Sequence, residues 1–356
     1  MRPEMGALST DARHVLVVGG AGYLGNVLVR RLLADGYRVR VLDRLLFDHG
    51  SALAGLFEQP GFEFVRGDLV EPADVERSLD GVTDVVLLAA LVGDPICRTY
   101  PDLARRVNDE GAKRLFETLA GRGIDRFVFT STCSNYGLRD TDDPATEESE
   151  LAPLSLYAET KVEFERFVLS RRDDWDLCPT LLRIATAYGL SPRMRFDLTI
   201  SEFTRTLTIG QELVVYDADT WRPYCHVRDI SAAIATVLSS PEDAVRGEVF
   251  NVGHDDGNFT KRMVVDAVQE HLGGSGSVRF TEGGQDPRNY RVSFDKVRER
   301  LGFEPEHTVP ETVGTLIEAI RAGAFNDVEA RATFYTNNTA IADDEAAVHE
   351  EAGGSD

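Results

Sequence analysis

Lysine is scarce in this chain. Four of its 38 basic residues are lysine and the others are arginine, while 60 aspartates and glutamates give the 356 residues a formal net charge of −22. A surface this acidic repels the phosphates of nucleic acids and of anionic lipids. The composition therefore argues against a nucleic acid or a membrane as partner.

Long apolar runs are also lacking, since no stretch approaches the roughly 20 residues that a membrane-spanning helix needs. Residues 1–13 do not contain the apolar centre typical of a signal peptide. The cysteines, Cys97, Cys133, Cys178 and Cys225, have neither metal-binding nor redox spacing. We therefore expect a cytoplasmic protein with reduced thiols and no bound metal.

Short apolar strands alternate with helical stretches in the first half of the chain. Several strands are continuous β-branched runs, which is typical of parallel strands covered on both faces. The predicted strands are His14–Val18, Arg38–Leu42, Phe62–Val65, Asp84–Ala89, Arg126–Thr130 and one near Pro179–Ile184. The predicted helices are Tyr23–Asp35, Ala73–Leu79, Leu103–Gly123 and Tyr157–Arg171. This alternation predicts an α/β fold with a doubly wound parallel (Rossmann) sheet.

The pattern loosens after Gly189. We expect residues 14–190 to form the sheet domain, and residues 191–225 and 256–325 to form a smaller, mixed C-terminal lobe that binds substrate. Residues 226–255 have the pattern of a helix and a strand that return to the sheet. The acidic residues 337–356 predict a disordered tail.

A glycine-rich turn follows the first predicted strand. Gly19, Gly22 and Gly25 are spaced as in loops that bind the pyrophosphate of a dinucleotide. The helix that begins at Tyr23 and Leu24 offers free N–H groups to that anion. An ordinary turn is the alternative, but the flanking strand and helix favour a dinucleotide site.

Asp43 ends the second predicted strand, 18 residues after Gly25. An acid at about this distance binds the ribose 2′-hydroxyl of NAD and repels the 2′-phosphate of NADP. The adjacent Arg44 could accept that phosphate, so NAD is favoured while NADP stays open. Asp68 and Leu69 follow the third strand, where they either reach the adenine or form an ordinary turn.

Tyr157 and Lys161 lie one helical turn apart and can share a face of their helix. Tyrosine is a poor base at its free pKa of about 10, and a neighbouring lysine lowers that pKa by stabilising the phenolate. Tyr157 could then take the proton of a substrate hydroxyl while hydride passes to NAD. An exposed helix pair of no consequence is the alternative, which the dinucleotide loop upstream disfavours.

Three segments together resemble the extended short-chain dehydrogenase/reductase family, in its branch of NAD-dependent nucleotide-sugar epimerases and dehydratases. They are Gly19–Gly25, Thr130–Gly137 and Tyr157–Lys161. The resemblance covers about residues 14–325 and implies a nucleotide-diphosphate sugar as substrate. It implies that Thr132 bonds the reacting hydroxyl and that Asn108 and Ala89 lie beside the cofactor. It also implies a homodimer, through helices that correspond here to Leu103–Gly123 and Tyr157–Arg171.

Four arginines complete the site that the resemblance implies. Arg222 and Arg288 match arginines that meet the substrate diphosphate, whose oxygens suit the planar guanidinium. Arg193 and Arg195 lie in a stretch similar to nucleotide-activated heptose 4-dehydrogenases and would contact the nucleotide or the phosphates of the substrate. Each of the four could instead be an ordinary surface charge. His226 is expected to hold its loop rather than to bind a metal.

The chain departs from the family pattern at Cys133 and Ser134, where sugar 4,6-dehydratases carry Asp-Glu. Neither side chain can supply that acid–base pair, so dehydration is disfavoured. The resemblance then implies oxidation at carbon 4 of the sugar. Re-reduction on the opposite face gives an epimerase, which we favour, and release of the keto sugar gives a dehydrogenase or reductase. An inactive NAD-sensing regulator is less favoured, because Thr132, Tyr157 and Lys161 are all present.

The acid excess and the scarcity of lysine together suggest a host that lives in concentrated salt, where screening removes the repulsion between acidic groups. We therefore predict that thermal stability and activity increase as KCl is raised from about 0.1 M to above about 1 M, where the screening length falls to roughly 3 Å. Thermal melts and rate measurements across this range test the hypothesis. Values that improve as salt falls would leave a GC-rich genome as the explanation for the arginines.

Overall fold

The computed structural model describes residues 13–139, 142–172, 174, 176–284 and 286–338. The strands are β1 (His14–Val18), β2 (Arg38–Asp43), β3 (Phe62–Arg66), β4 (Asp84–Leu87), β5 (Arg126–Thr132), β6 (Cys178–Ile184), β7 (Thr186–Tyr188), β8 (Leu213–Tyr216), β9 (Trp221–His226), β10 (Glu248–Val252), β11 (Asn258–Thr260) and β12 (Val278–Thr281).

The helices surround these strands. They are α1 (Tyr23–Ala34), α2 (Pro72–Ser78), α3 (Asp94–Thr99), α4 (Pro101–Arg105), α5 (Ala112–Thr118), α6 (Leu156–Leu169), α7 (Thr199–Thr208), α8 (Val227–Ser239), α9 (Glu242–Val245), α10 (Lys261–His271), α11 (Asp295–Leu301), α12 (Val309–Arg321) and α13 (Ala332–Tyr335). Short 3₁₀ turns occupy Gly50–Leu56, Cys133–Tyr136 and Asp255–Gly257, and a π-helical turn occupies Arg106–Gly111.

A seven-stranded parallel sheet in the order β10-β6-β5-β4-β1-β2-β3 forms the centre of the larger domain. Every residue of β1, β4 and β5 is buried, because helices cover both faces of the sheet. The predicted doubly wound α/β fold is therefore confirmed. The strand order reverses between β1 and β4, which opens a crevice at the carboxyl ends of these two strands.

The predicted helix Leu103–Gly123 is wrong in its detail. The chain instead forms α4, the π-helical turn Arg106–Gly111 and α5, which ends at Thr118. One extra residue in a helical turn shifts the side chains that follow it, and such turns are frequent at functional sites. Here the turn contains Asn108, which bonds the backbone beyond β4. Periodicity alone does not reveal such an insertion.

The smaller lobe contains two small sheets, one of β11, β9 and β7 and one of β12 and β8. Its apolar core is formed by α7, α10 and α12 packing on these strands, with Ile200, Leu213, Val264, Val268 and Val313 among its buried residues. The chain returns to the main sheet through α8 and β10, which pairs in parallel with β6. No helix among the described residues is long and apolar enough to cross a membrane.

The C-terminal segment is more ordered at its start than the sequence suggests. The predicted tail begins at residue 337, but Asn337 is 5% exposed, and its backbone N–H donates to Asp197 Oδ2 at 3.1 Å. The prediction is therefore wrong for Asn337. Residues 339–356 lie outside the described residues.

A pair of stacked histidines joins the two lobes. The rings of His226 and His307 lie 4.2 Å apart and nearly parallel, and Asp229 is 2.8 Å from Nδ1 of His307. His226 Nδ1 accepts the backbone N–H of Arg228 and so caps α8. These three side chains could reach a common metal ion by distance, but stacked rings direct their nitrogen lone pairs along parallel planes rather than toward one point. We therefore interpret the cluster as structural.

The His226 ring makes folding sensitive to mild acid. Burial, and next the neighbouring His307, lower the pKa of His226 from 6.5 to about 4. Above pH 6.5 the ring is neutral in both states, so its contribution is fully present; it is lost as the pH falls toward 4, because only the unfolded chain binds the proton. We predict a loss of up to about 3 kcal/mol across this window, measured by urea unfolding at several pH values.

A matched variant separates this ring from other titrating groups. His226→Asn keeps an acceptor for the Arg228 N–H, since asparagine is a good helix cap, but it cannot take up a proton. Its free energy of unfolding should therefore change less between pH 6.5 and 4 than that of the unmodified protein. Parallel pH profiles for the two proteins would contradict the assignment.

Candidate active site

A cleft of ≈ 450 Å³ lies at the carboxyl ends of β1 and β4, where the strand order reverses. Most residues predicted for the site line it: Gly19, Gly22, Tyr23, Leu24, Gly25, Asp43, Asp68, Leu69, Ala89, Thr132, Tyr157, Lys161, Arg193, Arg195, Arg222 and Arg288. The smaller lobe supplies its outer wall through the loop after β7 and the segments near β9 and α10. Residues far apart in the sequence are thus brought to one crevice.

The glycine turn leaves room for a dinucleotide, and a side chain at Gly19 or Gly25 would clash with the neighbouring backbone. Gly19 has a φ of +86°, and a Cβ there would lie 2.6 Å from the backbone nitrogen of Ala89. A Cβ on Gly25 would lie 2.4 Å from the Gly19 carbonyl oxygen. The N-cap of α1, Gly22, has no side chain to satisfy the first N–H groups of the helix. These groups therefore face the cleft as donors for an anion, which fits a pyrophosphate.

Asp43 is held at the end of β2 by the backbone around it. Its Oδ2 accepts the N–H of Ala21 at 3.0 Å and its Oδ1 accepts the N–H of Leu45 at 2.8 Å. Each carboxylate oxygen has a second lone pair, so the group can still bind a ribose hydroxyl. Arg44, the residue that left NADP open, is ion-paired with Asp68 at 2.7 Å. This pairing, with a carboxylate at Asp43, favours NAD.

Asn108 supports the cleft from behind rather than lining it. Its side-chain oxygen accepts the N–H of Leu91 at 2.7 Å, and its amide donates to the Leu91 carbonyl at 3.1 Å. The side chain is buried. Asn108 thus fixes the backbone that follows β4, and with it Ala89 on the floor of the cleft.

Tyr157, Lys161 and Thr132 line the same cleft. Ser155 caps α6, which carries the tyrosine and the lysine, and Thr132 is the last residue of β5. Lys161 Nζ donates to the Thr130 carbonyl at 2.9 Å and lies 5.8 Å from the centre of the Tyr157 ring. The pair therefore shares one face of the helix, as the spacing predicts.

The electrostatics of this pair differ from the expectation. Burial, with further contributions from Cys97 and Asp94, raises the pKa of Tyr157 above its ordinary value. Burial also lowers the pKa of Lys161 to about 7. The sequence suggested a lowered pKa for the tyrosine; the cofactor-free protein shows the opposite, because both groups lie out of water. A deprotonated Tyr157 therefore needs additional positive charge in the cleft.

Arg222 and Arg288 form a compact cluster with the carboxylate of Asp286. Asp286 lies 2.9 Å from Arg222 Nη2 and accepts two hydrogen bonds of 2.8 Å from Arg288. Burial opposes the charge on Asp286, but the two guanidinium groups outweigh it and hold its pKa well below the usual range. Arg288 also contacts Asp94 at 2.9 Å and donates to Ser134 Oγ at 3.1 Å.

Several residues of the cleft were missed in the sequence. Asp94, Lys261, Asp286 and Asn337 line it, and one oxygen of Asp94 is buried without a hydrogen-bond partner among the described residues. Asp286 was adjacent to a predicted arginine motif, but nothing in its spacing identified it as the partner of two arginines. Asn337 comes from the last described residues of the chain, and no local motif connects it to the site.

Asp43 supplies a prediction about the cofactor. Replacing Asp43 by Asn removes the charge that strengthens a bond to a ribose hydroxyl, and such bonds contribute roughly 1.5–3 kcal/mol. We expect NAD affinity to fall about 10- to 100-fold and the preference over NADP to shrink, as measured by calorimetry. Asp35→Asn, at the exposed end of α1, is the control and should bind NAD normally. An unchanged preference in the Asp43 variant would count against the assigned role.

The chain is similar in sequence and fold to known sugar-nucleotide enzymes. A UDP-glucose 4-epimerase from Corynebacterium glutamicum is 28% identical over 316 residues, which cover 84% of this chain and 93% of that protein. The low-salt glycan biosynthesis protein Agl12 of Haloferax volcanii is 32% identical over 306 residues, which cover 82% and 93%. The structure of MoeE5 with UDP-glucose and NAD has a TM-score of 0.76 at 28% identity, covering 87% of this chain and 99% of that one.

A family model matches most of the larger domain. It is described as the NAD dependent epimerase/dehydratase family, and it spans residues 15–253, from the first strand to the end of the seventh strand of the sheet. The matched segment includes the glycine turn, Asp43 and the pair Tyr157 and Lys161. The chain is therefore an enzyme of the NAD-dependent epimerase/dehydratase family.

Proposed function

We propose that the protein is an NAD-dependent nucleotide-sugar 4-epimerase. The observation that carries this proposal is the arrangement of one cleft with three parts: a dinucleotide turn, the pair Tyr157 and Lys161, and the cluster at Arg222 and Arg288. A sugar nucleotide whose diphosphate meets the arginines would present its sugar between them and the tyrosine. The relative from Corynebacterium glutamicum and the MoeE5 complex, both named with UDP-glucose, support a UDP-sugar as the substrate.

The side chains of the cleft have distinct roles in this reaction. Thr132 orients the sugar hydroxyl, Tyr157 accepts its proton and later returns it, and Lys161 supplies a nearby positive charge. NAD, when bound, takes up and returns the hydride of carbon 4, and its positively charged ring favours the phenolate. This positive charge would lower the pKa of Tyr157, which burial raises in the cofactor-free protein. The base would thus become competent only in the loaded enzyme.

The surroundings of Cys133 and Ser134 disfavour sugar dehydration. Cys133 is 1% exposed and donates to the Arg183 carbonyl, and burial raises the pKa of its thiol. Ser134 Oγ accepts a hydrogen bond from Arg288. Neither residue provides the acid and base that elimination of water requires. The reaction therefore remains at carbon 4.

Net oxidation or reduction at carbon 4 is the second candidate, favoured by the stretch around Arg193 that is similar to heptose dehydrogenases. The two outcomes leave different products. An epimerase interconverts UDP-glucose and UDP-galactose without accumulating reduced cofactor, whereas a dehydrogenase yields a 4-keto sugar and an equivalent of NADH. A cytoplasmic location and a homodimer through the segments Leu103–Gly123 and Tyr157–Arg171 also remain predictions.

We predict that the purified protein converts a UDP-hexose into its 4-epimer, as followed by NMR, with no lasting rise in the absorbance of reduced nicotinamide. Tyr157→Phe should lower the rate at least about 100-fold, the lower range for loss of a general base, while NAD affinity stays within a few-fold. Tyr216→Phe, which removes the hydroxyl of a half-exposed tyrosine, should retain normal activity. A Tyr157 variant with more than half of the activity would refute its role, and stoichiometric NADH would establish a dehydrogenase.

A further inference from the structure

Arg193 is a buried cation that has no carboxylate within ion-pairing distance among the described residues. Its side chain is 2% exposed, and its Nε atom has no hydrogen-bond partner among the described residues. Its guanidinium donates to the Thr336 carbonyl at 3.5 Å, a long and weak bond. Taking a charge out of water costs several kcal/mol unless a partner compensates for it. The cofactor-free protein therefore leaves this cost largely uncompensated.

Other buried arginines of the chain show how such a charge is usually satisfied. Arg13 is ion-paired with Asp84, and Arg183 is ion-paired with Glu165 at 2.8 Å. Arg195, on the same loop as Arg193, is paired with Asp197 at 2.7 Å. Arg126 also lacks an ion pair among the described residues, but it donates to Cys178 Sγ at 2.9 Å and to the Ser240 carbonyl at 3.0 Å. The guanidinium of Arg193 has only the long bond to Thr336. An anionic ligand in the cleft would supply an ion-pair partner.

Arg193 lies at the end of the cleft that is close to β2 and Asp43. Its guanidinium lies 5.0 Å from the centre of the Phe47 ring, just beyond β2. It is also close enough to Asp197 on its own loop, and to Asp43 at the end of β2, for their charges to interact. Asp43 is the acid expected at the ribose of the dinucleotide. Burial, and next the charge of Arg195, lower the pKa of Arg193 to about 9, so the group still carries its charge at neutral pH.

A C-terminal strap (residues 331–338) fixes the loop that carries Arg193. The Phe196 N–H donates to the Tyr335 carbonyl at 2.8 Å, and the Asn337 N–H donates to Asp197. The strap also reaches the sheet domain, because the Asn337 amide donates to the Val92 carbonyl at 3.4 Å. The buried side-chain oxygen of Asn337 has no partner among the described residues. Loop and strap together cover this end of the cleft.

We infer that Arg193 binds the phosphates of the dinucleotide, on the side of the cleft opposite the glycine turn, and that the strap holds it there. The sequence resemblance assigned Arg193 to the substrate, but its neighbours belong to the cofactor end. A guanidinium can donate two parallel hydrogen bonds to phosphate oxygens. The pyrophosphate would thus lie between the N–H groups of α1 and Arg193. This inference depends on the cofactor and not on the reaction proposed above.

The experiment measures binding to protein stripped of cofactor. Arg193→Gln should lower the affinity for ADP-ribose, which carries the pyrophosphate, about 10- to 100-fold. The affinity for adenosine, which has no phosphate, should stay within about threefold. Calorimetry measures both affinities. Arg193→Lys, which retains charge without the planar fork, should be intermediate. Arg222→Gln is the matched control: it should lower the affinity for UDP and leave the affinity for ADP-ribose unchanged.

Stability provides a second readout. Removing an unpaired buried charge should leave the melting temperature of the cofactor-free protein unchanged or raised, while the increase caused by NAD becomes smaller. If Arg193→Gln lowers the affinity for UDP instead of the affinity for ADP-ribose, then Arg193 belongs to the substrate site. Equal losses for ADP-ribose and adenosine would indicate a general structural role. If neither variant folds without cofactor, the idea of an uncompensated charge is overturned.

Discussion

The cost of burying positive charge governs the architecture of this cleft. Lys161 is held against the Phe129 ring and a backbone carbonyl, and Arg193 lies between an aromatic ring and a distant carbonyl. Neither arrangement compensates a cation as well as an ion pair does. The fold tolerates them because a large parallel sheet, buried on both faces, supplies stability elsewhere. An anionic ligand would offset this cost, because its negative charge would supply the partner that these cations lack.

The glycine turn determines where that ligand can lie. Gly19 lets the backbone at Ala89, just beyond β4, approach the glycine turn, and Gly25 lets α1 pack directly on that turn. The first N–H groups of the helix therefore lie at the crevice. The same close approach brings Ala89 to the floor, where Asn108 fixes the segment from behind. A β-carbon at either glycine would push these elements apart by a large fraction of an ångström. The shape of the cleft between the glycine turn and the pair Tyr157 and Lys161 therefore depends on residues for which we propose no chemical role.

The parallel sheet, the glycine turn and the position of Asp43 could be predicted because they are determined by short stretches of sequence. Continuous β-branched runs specify buried parallel strands, and the glycine spacing and Asp43 follow directly from the strand ends. Other features depend on long-range contacts. Asp286 acquires its role only when folding brings Arg222 beside it, and Asn337 reaches the cleft from the end of the described chain. The direction of the Tyr157 pKa was missed for the same reason, since burial is a property of the tertiary structure.

The arginines at the two ends of the cleft differ in whether a carboxylate of the protein already pairs with them, and so in the free energy that an incoming anion would gain. At the substrate end, Asp286 already occupies both Arg222 and Arg288, so an incoming diphosphate must compete with a carboxylate for the same donors. At the end that we assign to the cofactor, the Arg193 guanidinium forms no ion pair among the described residues, and its Nε atom has no hydrogen-bond partner there. An anion that replaces an existing partner gains less free energy than one that fills an empty site. Under the proposed function, this difference would let substrate and product exchange while the dinucleotide stays bound, as oxidation and re-reduction of the same sugar require.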